Sequence, residues 1–458
     1  MASKKVLFGT DGIRGKANIF PMTSEVAMNL GRAVAHYFQQ ATRSDKQPLI
    51  ILGKDTRLSC YMIELAFSAG VCSQGGRVIL TGPLPTPGVA FAVKNMRANA
   101  GVMISASHNP FFDNGIKIFD QDGNKLPDKV ELELEKMVLD PSSIPYPSGE
   151  KMGRAERLDE VLGRYIVHVK STLDESLDLT DVRLVLDCAN GASYKVAPMV
   201  FRELGAEVLS LGVEPNGKNI NLGVGSLHPE KAIDNVIKYR ADLGICLDGD
   251  ADRIITIDNK GQKIEGDILI GLMAKYLLDK KLIDKGHEVV GTLMSNLGLE
   301  NFVKKLGLKF YRANVGDRYI LERMAKSGSV IGGEPSGHII WGQKSQTGDG
   351  ILAGLKLLEI RQFYNKPIDQ LVKDFELYPQ KTVNIHVSQK PELAKNKNIS
   401  KELKAQEEFL GNKGRVLLRY SGTEPLIRVM VEAETEQMLN DALDALVKVV
   451  SSELVSGE

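Results

Sequence analysis

The stretch LIILGKDTR at residues 49–57 decides the fold, because its pattern of an apolar run followed by a polar turn returns twice along the chain. VRLVLDCANG at 182–191 and HEVVGTLMSN at 287–296 have the same form. Runs rich in leucine and β-branched residues that end in turn residues are typical of buried strands. The recurrence predicts three similar units.

Each of these strands is followed by a helix-like stretch and by two further strands. Identity between the copies is low, so the repeat is an interpretation of pattern rather than of matching residues. Strands that alternate with helical stretches predict α/β layers. The second strands are GGRVILTG at 75–82, GAEVLSLG at 205–212 and GLKFYRAN at 307–314, and the third strands with their loops are AGVMISASHNP at 100–110, ADLGICLDGDADR at 241–253 and SVIGGEPSGH at 329–338.

The loop after each third strand carries polar residues that can do chemistry. Ligands of open α/β sheets bind beyond the carboxyl ends of the strands. If the three units face one another, these loops share one cleft. The pattern therefore joins motifs that lie far apart in the chain into a single expected site.

The rest of the chain, 380–458, has a different order of strand, helix, strand, strand and helix. Thr435 is placed to cap the last helix, whose apolar residues keep helical spacing. The Pro- and Ser-rich stretch at 139–153 indicates a linker. We expect an α/β protein with three similar three-layer α/β/α domains and a smaller α+β C-terminal domain around a central cleft. The expected limits are 1–152, 153–257, 258–370 and 371–458.

The composition is that of an ordinary soluble protein, with 43% hydrophobic and 25% charged residues among 458. The formal net charge of +0 provides no excess of positive charge for a nucleic-acid partner. No apolar stretch approaches the ~20 residues that span a bilayer, and the N-terminal apolar run is too short for a signal peptide. We expect a cytoplasmic protein with free thiols at Cys60, Cys72, Cys188 and Cys246.

The clearest chemical motif is DGDADR at 248–253, which places three aspartates at alternating positions directly after an apolar strand. Carboxylates this close repel one another unless a cation lies among them, and an all-oxygen set favours a hard ion such as Mg²⁺. A calcium-binding helix–loop–helix would need Gly and Glu where this chain has Arg253 and Asn259. The remaining alternative is a solvated acidic turn. The predicted metal ligands are Asp248, Asp250 and Asp252.

The stretch GVMISASHNPFFDNGIK at 101–117 runs from a strand into a turn with two serines. Both serines could simply cap the turn that follows. The sequence around them is not the G-x-S-x-G turn of serine hydrolases, which argues against an acyl nucleophile. A third interpretation is a serine that carries a phosphoryl group beside the metal, with Lys117 orienting or protonating an oxygen. The local sequence does not choose between Ser105 and Ser107.

Two more glycine-containing turns offer groups for a phosphorylated sugar. GTDGIRG at 9–15 contains Arg14, which could hold phosphate with two hydrogen bonds. GGEPSGH at 332–338 has the carboxylate and hydroxyl groups that suit a sugar diol, although a capped turn would also explain it. KDTR at 54–57 is a weaker signal. The polar residues of the second loop are Glu334, Ser336 and His338.

The loop RYSGTEPLIR at 419–428 lies between two strands of the last unit and has the donors of an anion nest. An ordinary hairpin turn would explain it equally well. It lacks the G-x-x-x-x-G-K-[ST] spacing of a nucleotide P-loop, and no G-x-G-x-x-G opens a helix elsewhere. A nucleotide or dinucleotide cofactor is therefore not expected.

Four of these motifs, taken in chain order, resemble those of the α-D-phosphohexomutase superfamily. They are the serine loop at 101–117, the acidic loop at 248–253, the sugar loop at 332–338 and the phosphate loop at 419–428. The resemblance extends over nearly the whole chain, from FGTDGIRG at 8–15 to RYSGTEPLIRVMVE at 419–432. ISASHNP at 104–110 and TGDGIL at 347–352 are most similar to the branch that acts on glucosamine phosphates. Pro335 departs from the polar residue more usual in that branch, and the alternative is a mutase for mannose and glucose phosphates.

The resemblance implies a role for each motif. Ser107 is the phosphorylated residue, and its phosphate joins the three aspartates around Mg²⁺. Glu334 and Ser336 hold the ring hydroxyls of the sugar. The phosphate that is not reacting is held by Arg419, Ser421, Gly422, Thr423 and Arg428. The groups around the transfer, among which the general base stays open, are Arg14, His108, Lys117, Arg253 and His338.

The implied reaction interconverts glucosamine 6-phosphate and glucosamine 1-phosphate through a phosphoserine enzyme and a sugar bisphosphate. It would supply UDP-N-acetylglucosamine and cell-wall precursor synthesis, with glucosamine or glucose 1,6-bisphosphate as primer. The expected partner is the small hexosamine phosphate, with no membrane or nucleic acid, and the chain is a monomer or a homodimer. Two other functional classes are alternatives to a mutase. One is a sugar-phosphate-binding regulator, which needs no phosphoryl carrier. The other is a metal phosphatase, which would release inorganic phosphate.

Overall fold

A computed structural model gives the fold and describes residues 5–9, 11–41, 46–342, 345–421 and 425–455. In these ranges the strands form sheets of seven, five, four and three strands. Helices flank the first three sheets, and the last sheet is small and antiparallel, which confirms the expected fold class. Within the same ranges, no helix combines the length and apolar character that crossing a membrane requires.

The first domain is built around a mixed sheet. Its elements are β1 (Phe8–Gly9), β2 (Gly12–Lys16), α1 (Ser24–Ala41), β3 (Leu49–Lys54), α2 (Leu58–Ser73), β4 (Arg77–Pro83), α3 (Thr86–Asn95), β5 (Ala100–Ile104), β6 (Asp113–Phe119), α4 (Asp128–Leu139) and β7 (Ala155–Arg157). The strand order is β1-β2-β6-β5-β3-β4-β7. β3 is buried from Ile50 onward, as expected for a parallel strand with helices on both faces.

The second domain has a five-stranded sheet. Its elements are α5 (Glu160–Lys170), β8 (Arg183–Asp187), α6 (Val196–Glu203), β9 (Glu207–Leu211), α7 (Glu230–Tyr239), β10 (Leu243–Leu247), β11 (Ile254–Asp258) and β12 (Lys263–Ile264). The strand order is β12-β11-β10-β8-β9. β10 is buried at every residue, so the acidic loop that follows it begins in the protein core.

The third domain has a four-stranded sheet. Its elements are α8 (Gly266–Asp279), β13 (Glu288–Thr292), α9 (Leu297–Lys305), β14 (Lys309–Ala313), α10 (Asp317–Ser327), β15 (Ile331–Gly333), β16 (Ile339–Trp341), α11 (Gly350–Tyr364) and α12 (Ile368–Leu371). The strand order is β14-β13-β15-β16. Asp349 caps α11, because its side chain accepts a hydrogen bond from the backbone N–H of Leu352.

The centres of the three sheets share one arrangement, which gives the sequence repeat its structural basis. In each, the third strand of the repeat lies beside the first and the first beside the second, all parallel, as β5-β3-β4, β10-β8-β9 and β15-β13-β14. A fourth strand, which the sequence pattern did not predict, returns antiparallel to the third as β6, β11 or β16. The serine, acidic and sugar loops are therefore equivalent turns at the carboxyl ends of equivalent strands.

Two strand pairings cross the expected domain limits. β7 lies beyond residue 152 and pairs with β4, so the first sheet continues to residue 157. β12 lies beyond residue 257 and pairs with β11, so the second sheet continues to residue 264. These short strands cover edges that would otherwise leave backbone groups unpaired, which a pattern of apolar residues does not reveal.

The C-terminal domain is small and follows the predicted order of elements. They are β17 (Gln380–His386), α13 (Lys397–Leu410), β18 (Gly414–Tyr420), β19 (Leu426–Ala433) and α14 (Glu436–Leu454), with the strand order β17-β19-β18. The Thr435 side chain accepts a hydrogen bond from the backbone N–H of Met438, which confirms the predicted helix cap.

The apolar core is continuous through the first three domains but not into the fourth. One cluster of buried side chains runs from Ile51 in the first domain to Ile368 at the end of the third. The fourth domain has a cluster of its own, which includes Val429 and Leu446. The first three domains are therefore joined by shared packing, and the fourth is packed chiefly within itself.

Candidate active site

Ser107 lies in the turn between β5 and β6 and faces the acidic loop of the second domain. Its Oγ donates a hydrogen bond to Asp248 Oδ2 at 2.5 Å, and the residue is 1% exposed. Its φ of 53° is in the left-handed region, which residues other than glycine seldom adopt. Such backbone strain persists where the surrounding structure enforces it, commonly at functional sites.

Arg57 holds the serine turn in place. Its guanidinium group is fully buried, and Nε donates to Asp55 Oδ2 at 2.8 Å. Asn221 of the second domain supports the same turn by donating to the Ser107 carbonyl at 2.9 Å. Asp55 and Arg57 belong to KDTR at 54–57, the weakest of the sequence motifs, and this motif therefore positions the serine. The backbone carbonyls that accept from Arg57 are those of Ser107, Asn109, Pro110 and Asp113.

Ser105, the other serine of the turn, is directed into the first domain. Its Oγ donates to Asp55 Oδ2 at 2.7 Å and accepts from the backbone N–H of Ser107 at 2.9 Å. Ser105 therefore supports the turn, and Ser107 presents its hydroxyl to the acidic loop.

Arg57→Met should destabilise the first domain by about 3–5 kcal/mol, because it leaves the Asp55 carboxylate buried without its cation. Several carbonyls of the serine turn would also lose their donor. Urea unfolding followed by circular dichroism measures the change. Arg154→Met is the matched control, since Arg154 is 69% exposed and its ion pair with Glu156 is 3.4 Å long. Equal stability of the two variants would contradict the role given to Arg57.

The three aspartates of the acidic loop converge as the sequence predicts. They are buried, and one carboxylate oxygen from each lies within 4.8 Å of the others. Asp250 Oδ1 and Asp252 Oδ1 are buried and have no hydrogen-bond partner within the described ranges. Burial, with Asp252 and Asp250 close by, raises the pKa of Asp248 well above its usual range. Buried carboxylate oxygens without partners are costly unless a cation is bound, so this donor set fits a hard divalent metal ion.

Lys117 supplies positive charge to the acidic loop from strand β6. Its Nζ donates to Asp250 Oδ2 at 2.9 Å and to Asp252 Oδ2 at 3.1 Å. Burial disfavours the charged form of Lys117. The negative charges of Asp11, Asp250 and Asp252 have the larger effect, and they raise the pKa of Lys117 well above its usual range. At 2% exposure Lys117 is not a surface lysine, and it stays an ammonium group.

His108 follows Ser107 and is uncharged at neutral pH. Arg253 Nη1 lies 3.1 Å from His108 Nδ1, and because an arginine can only donate, Nδ1 accepts and the ring proton is on Nε2. Burial, together with Arg253 and Arg14, lowers the pKa of His108 to about 4. Arg14 itself donates to the backbone carbonyl of Ala106 at 3.3 Å, so both arginines border the serine turn.

The sugar loop of the third domain contacts the acidic loop through His338. Its Nδ1 lies 3.8 Å from Asp252 Oδ1, and its Nε2 accepts from the backbone N–H of Gly348 at 2.9 Å. On the other side of the loop, Ser336 Oγ donates to Glu334 Oε2 at 3.2 Å. Ser336 is exposed and Glu334 half-buried, so both side chains are accessible to a ligand.

Sequence reasoning did not identify Thr86 or Gly249, which join the first and second domains at the site. Thr86 begins α3 and donates to Asp250 twice, from Oγ1 to Oδ2 at 2.7 Å and from its backbone N–H to the carbonyl at 2.9 Å. A Cβ at Gly249 would lie 2.5 Å from the Ser107 carbonyl, so only glycine allows this approach. The glycine inside DGDADR was an available signal, whereas nothing in the local sequence distinguishes Thr86.

The phosphate loop of the fourth domain has two arginines on facing strands. Arg419 of β18 lies opposite Arg428 of β19, and burial together with Arg428 lowers the pKa of Arg419. Like charges at directly opposed positions are unfavourable, so this pairing suits an anion. Ser421, two residues after Arg419, is also buried. Gly422 and Thr423, predicted for the same loop, lie outside the described residues.

The fourth domain is seated on the third by hydrogen bonds at the end of β13. Arg415 donates to the backbone carbonyls of Leu293 at 2.7 Å and Ser295 at 2.6 Å. Glu432 accepts from the backbone N–H of Leu297 at 2.6 Å. The structure thus brings the serine, acidic and sugar loops into direct contact, and it attaches the phosphate loop through the third domain.

Four domain models of one known family match the chain along most of its length. The family is described as phosphoglucomutase/phosphomannomutase. Its alpha/beta/alpha domain I matches residues 5–143, domain II 163–261, domain III 265–378 and the C-terminal domain 383–449. Among solved structures, a phosphoglucomutase/phosphomannomutase family protein from Burkholderia thailandensis has a TM-score of 0.79 at 23% identity and covers 97% of both chains. The chain belongs to the phosphohexomutase family.

Curated relatives narrow the similarity within this family. The phosphoglucosamine mutase of Lawsonia intracellularis is 48% identical and covers 98% of this chain and 99% of its own length. That of Pelobacter propionicus is 50% identical and covers 94% of both chains. The fold also matches the Aspergillus fumigatus N-acetylphosphoglucosamine mutase solved with GlcNAc-6P and magnesium, at a TM-score of 0.68, 16% identity, and 98% and 96% coverage of this chain and of the fungal chain. Within the phosphohexomutases, the chain groups with the phosphoglucosamine mutases.

Proposed function

We propose that this enzyme interconverts glucosamine 6-phosphate and glucosamine 1-phosphate by way of a phosphorylated Ser107. The observation that carries the proposal is the bond from Ser107 Oγ to Asp248, because it places the serine at the edge of a buried three-carboxylate cluster. A phosphoryl group on Oγ would bring oxygen ligands to this cluster. A sugar-binding regulator would have no use for such a carrier.

The residues that would hold Mg²⁺ are Asp248, Asp250, Asp252 and phosphorylated Ser107. Bound there, the ion would neutralise part of the charge that builds up on the transferring phosphoryl group. Lys117, Arg14 and Arg253 surround the same position with fixed positive charge. Phosphoryl transfer depends mainly on positioning and charge stabilisation, which these groups provide.

The transfer exchanges one phosphorus–oxygen bond for another. The free hydroxyl of the sugar monophosphate attacks phosphorus, a bond from that oxygen to phosphorus forms, and the bond from phosphorus to Ser107 Oγ breaks. The hydroxyl proton passes to a base, and Oγ regains a proton. His108, uncharged with an accepting Nδ1 that lies 3.3 Å from Ser107 Oγ, is suited to take the proton once Arg253 turns to phosphate, and to return it to Oγ. Lys117, held as ammonium, contributes positive charge to the transfer. His338 lies across Asp252 as a further proton carrier.

The sugar bisphosphate then reorients and returns its other phosphate to Ser107. Glu334 and Ser336 hold ring hydroxyls in both orientations, and Arg419, Ser421 and Arg428, together with Gly422 and Thr423, hold the phosphate that is not reacting. A clamp made of arginine and hydroxyl donors suits this task because phosphate is the group that both orientations share.

The cellular setting follows from the reaction. The product would enter UDP-N-acetylglucosamine and cell-wall precursor synthesis, and a 1,6-bisphosphate of glucosamine or glucose would prime the serine. The four cysteines are free thiols, which suits a reducing cytoplasm. The enzyme would act as a monomer or homodimer on its small substrate, without nucleic acid or membrane.

The test compares kcat/KM for glucosamine 6-phosphate, mannose 6-phosphate and glucose 6-phosphate side by side, with bisphosphate primer and Mg²⁺. We expect the amino sugar to be preferred by at least about tenfold, because a charged group that the site recognises contributes on the order of 1.5–3 kcal/mol. Preference for mannose or glucose phosphate would favour the phosphomannomutase/phosphoglucomutase alternative. Release of inorganic phosphate without isomerisation would indicate a phosphatase.

A further inference from the structure

Asp317 is a carboxylate that the sequence did not single out, at the start of α10 beside the sugar loop. The backbone N–H of the preceding residue, Gly316, donates to Glu334 Oε1 at 3.1 Å. Gly316 has a φ of 125°, a conformation that strains any residue with a Cβ. The turn therefore fixes Asp317 next to the residue proposed to hold ring hydroxyls.

The Asp317 carboxylate is buried but keeps capacity to accept a further hydrogen bond. Lys125 of the first domain donates to Oδ1 at 2.9 Å and forms an ion pair with Oδ2 at 2.8 Å, and the Arg318 backbone N–H also donates to Oδ1 at 2.8 Å. His338 Nε2 is 3.7 Å from Oδ2, beyond hydrogen-bonding distance. An ionised carboxylate offers about four acceptor positions, so Oδ2 can take another donor.

The other carboxylates around the candidate active site already have partners or proposed roles. Asp248, Asp250 and Asp252 form the metal cluster. Asp11 contacts three cations, and Glu334 is assigned to the ring hydroxyls. The cations at Asp11 are Arg14, Lys117 and Lys125.

Substrate chemistry shows what a further carboxylate at this place would recognise. In glucosamine the C2 substituent is an ammonium group, so the vicinal pair of free ring hydroxyls is that of C3 and C4. A site that holds this pair through Glu334 brings the C2 substituent next to it. We propose that Asp317 accepts a hydrogen bond from the C2 ammonium group and thereby selects amino sugar phosphates over neutral hexose phosphates. This inference rests on the proposed function.

The test measures binding of sugar monophosphates to the full-length, unphosphorylated, Mg²⁺-loaded protein by titration calorimetry. In Asp317→Asn we expect Kd for the glucosamine phosphate to rise about tenfold or more, while Kd for the glucose phosphate changes by less than about twofold. Both 6-phosphates and both 1-phosphates are measured, because reorientation moves C2 relative to α10. A shift of the glucosamine-to-glucose ratio in either pair supports the proposal, and an unchanged ratio in both pairs overturns it.

Two control variants separate recognition from the ion pair between domains. Lys125→Met removes the cation and keeps the carboxylate, so it should not reduce the preference for the amino sugar. A fall equal to that of Asp317→Asn would overturn the proposal. Asp128→Asn removes a different contact of the first domain with α10, the 2.6 Å bond from Arg318, and should leave the ratio unchanged. A ratio that falls in this variant as far as in Asp317→Asn would also overturn it.

Two further outcomes keep the result interpretable. If Asp317→Asn fails to fold, Asp317→Glu retains the charge and should keep a preference for the amino sugar. Loss of that preference in a folded Asp317→Glu variant would overturn the proposal. If the parent protein itself prefers glucose phosphates, the proposed function is wrong. If the parent prefers glucosamine phosphates and the glucosamine-to-glucose ratio of Kd values is the same in Asp317→Asn, only the role of Asp317 is wrong.

Discussion

Ser107→Ala should reduce turnover by about 10⁴-fold or more, because the residue proposed to carry the phosphoryl group between the two positions of the sugar is then missing. The variant should also lack covalent phosphate in residues 101–117. Mass spectrometry of that peptide, after incubation with sugar bisphosphate, measures the second effect directly. The fold should be retained, since the change removes only the hydroxyl contacts with Asp248 and His108.

Ser105→Ala is the matched control, because both serines are buried in the same turn. It should still carry phosphate on Ser107, although it loses the bonds to Asp55 and to the Ser107 backbone. Phosphate that persists on the peptide of Ser107→Ala and disappears from that of Ser105→Ala would make Ser105 the carrier and refute the assignment.

Asp250→Asn should weaken Mg²⁺ binding and lower kcat/KM by about 100-fold or more, because one charge of the metal cluster is lost while the shape of the side chain is kept. Thr86 and Lys117 can still donate to the remaining carbonyl oxygen, so the loop should keep its position. Titration calorimetry with Mg²⁺ and activity against Mg²⁺ concentration give the two measurements.

Asp258→Asn serves as the control for charge removal in the same sheet. Asp258 is a buried aspartate at the end of β11 whose side chain accepts from the backbone N–H groups of Lys260 and Gln262. Its replacement should leave metal affinity and activity close to those of the parent protein. Metal affinity and activity that are unaltered in Asp250→Asn would exclude the proposed metal role.

Much of the fold could be predicted from the sequence, because an apolar strand followed by a polar loop recurs along the chain. The three parallel strands of each unit and the order of the C-terminal elements follow from such patterns. The returning strands β6, β11 and β16 were not predicted, because they directly follow the motif loops and were not separated from them. β7 and β12 escaped notice because two or three residues are too few to show a period.

The candidate site divides in a similar way. The three aspartates stand in a motif whose chemistry can be recognised locally, whereas Ser107 was distinguished from Ser105 only by the resemblance to a known family. Arg57, Thr86, Asn221 and Asp317 act through contacts with distant parts of the chain, and their types are common in ordinary turns and helix starts. Only the three-dimensional arrangement shows that a fully buried guanidinium group supports the serine turn, or that Asp317 lies beside Glu334.

The shared packing of the first three domains has a consequence for building chimaeras. A cut between the first and second domains would expose a large apolar surface and separate Thr86 from Asp250. The stretch 380–455, in contrast, has its own core and meets the third domain through a small set of polar contacts such as those of Arg415 and Glu432. For chimaeras with related sugar mutases, we therefore expect the C-terminal domain, with the proposed phosphate clamp, to be exchangeable as a module. We expect the first three domains, which hold the groups proposed for chemistry and sugar choice, to be exchangeable only together.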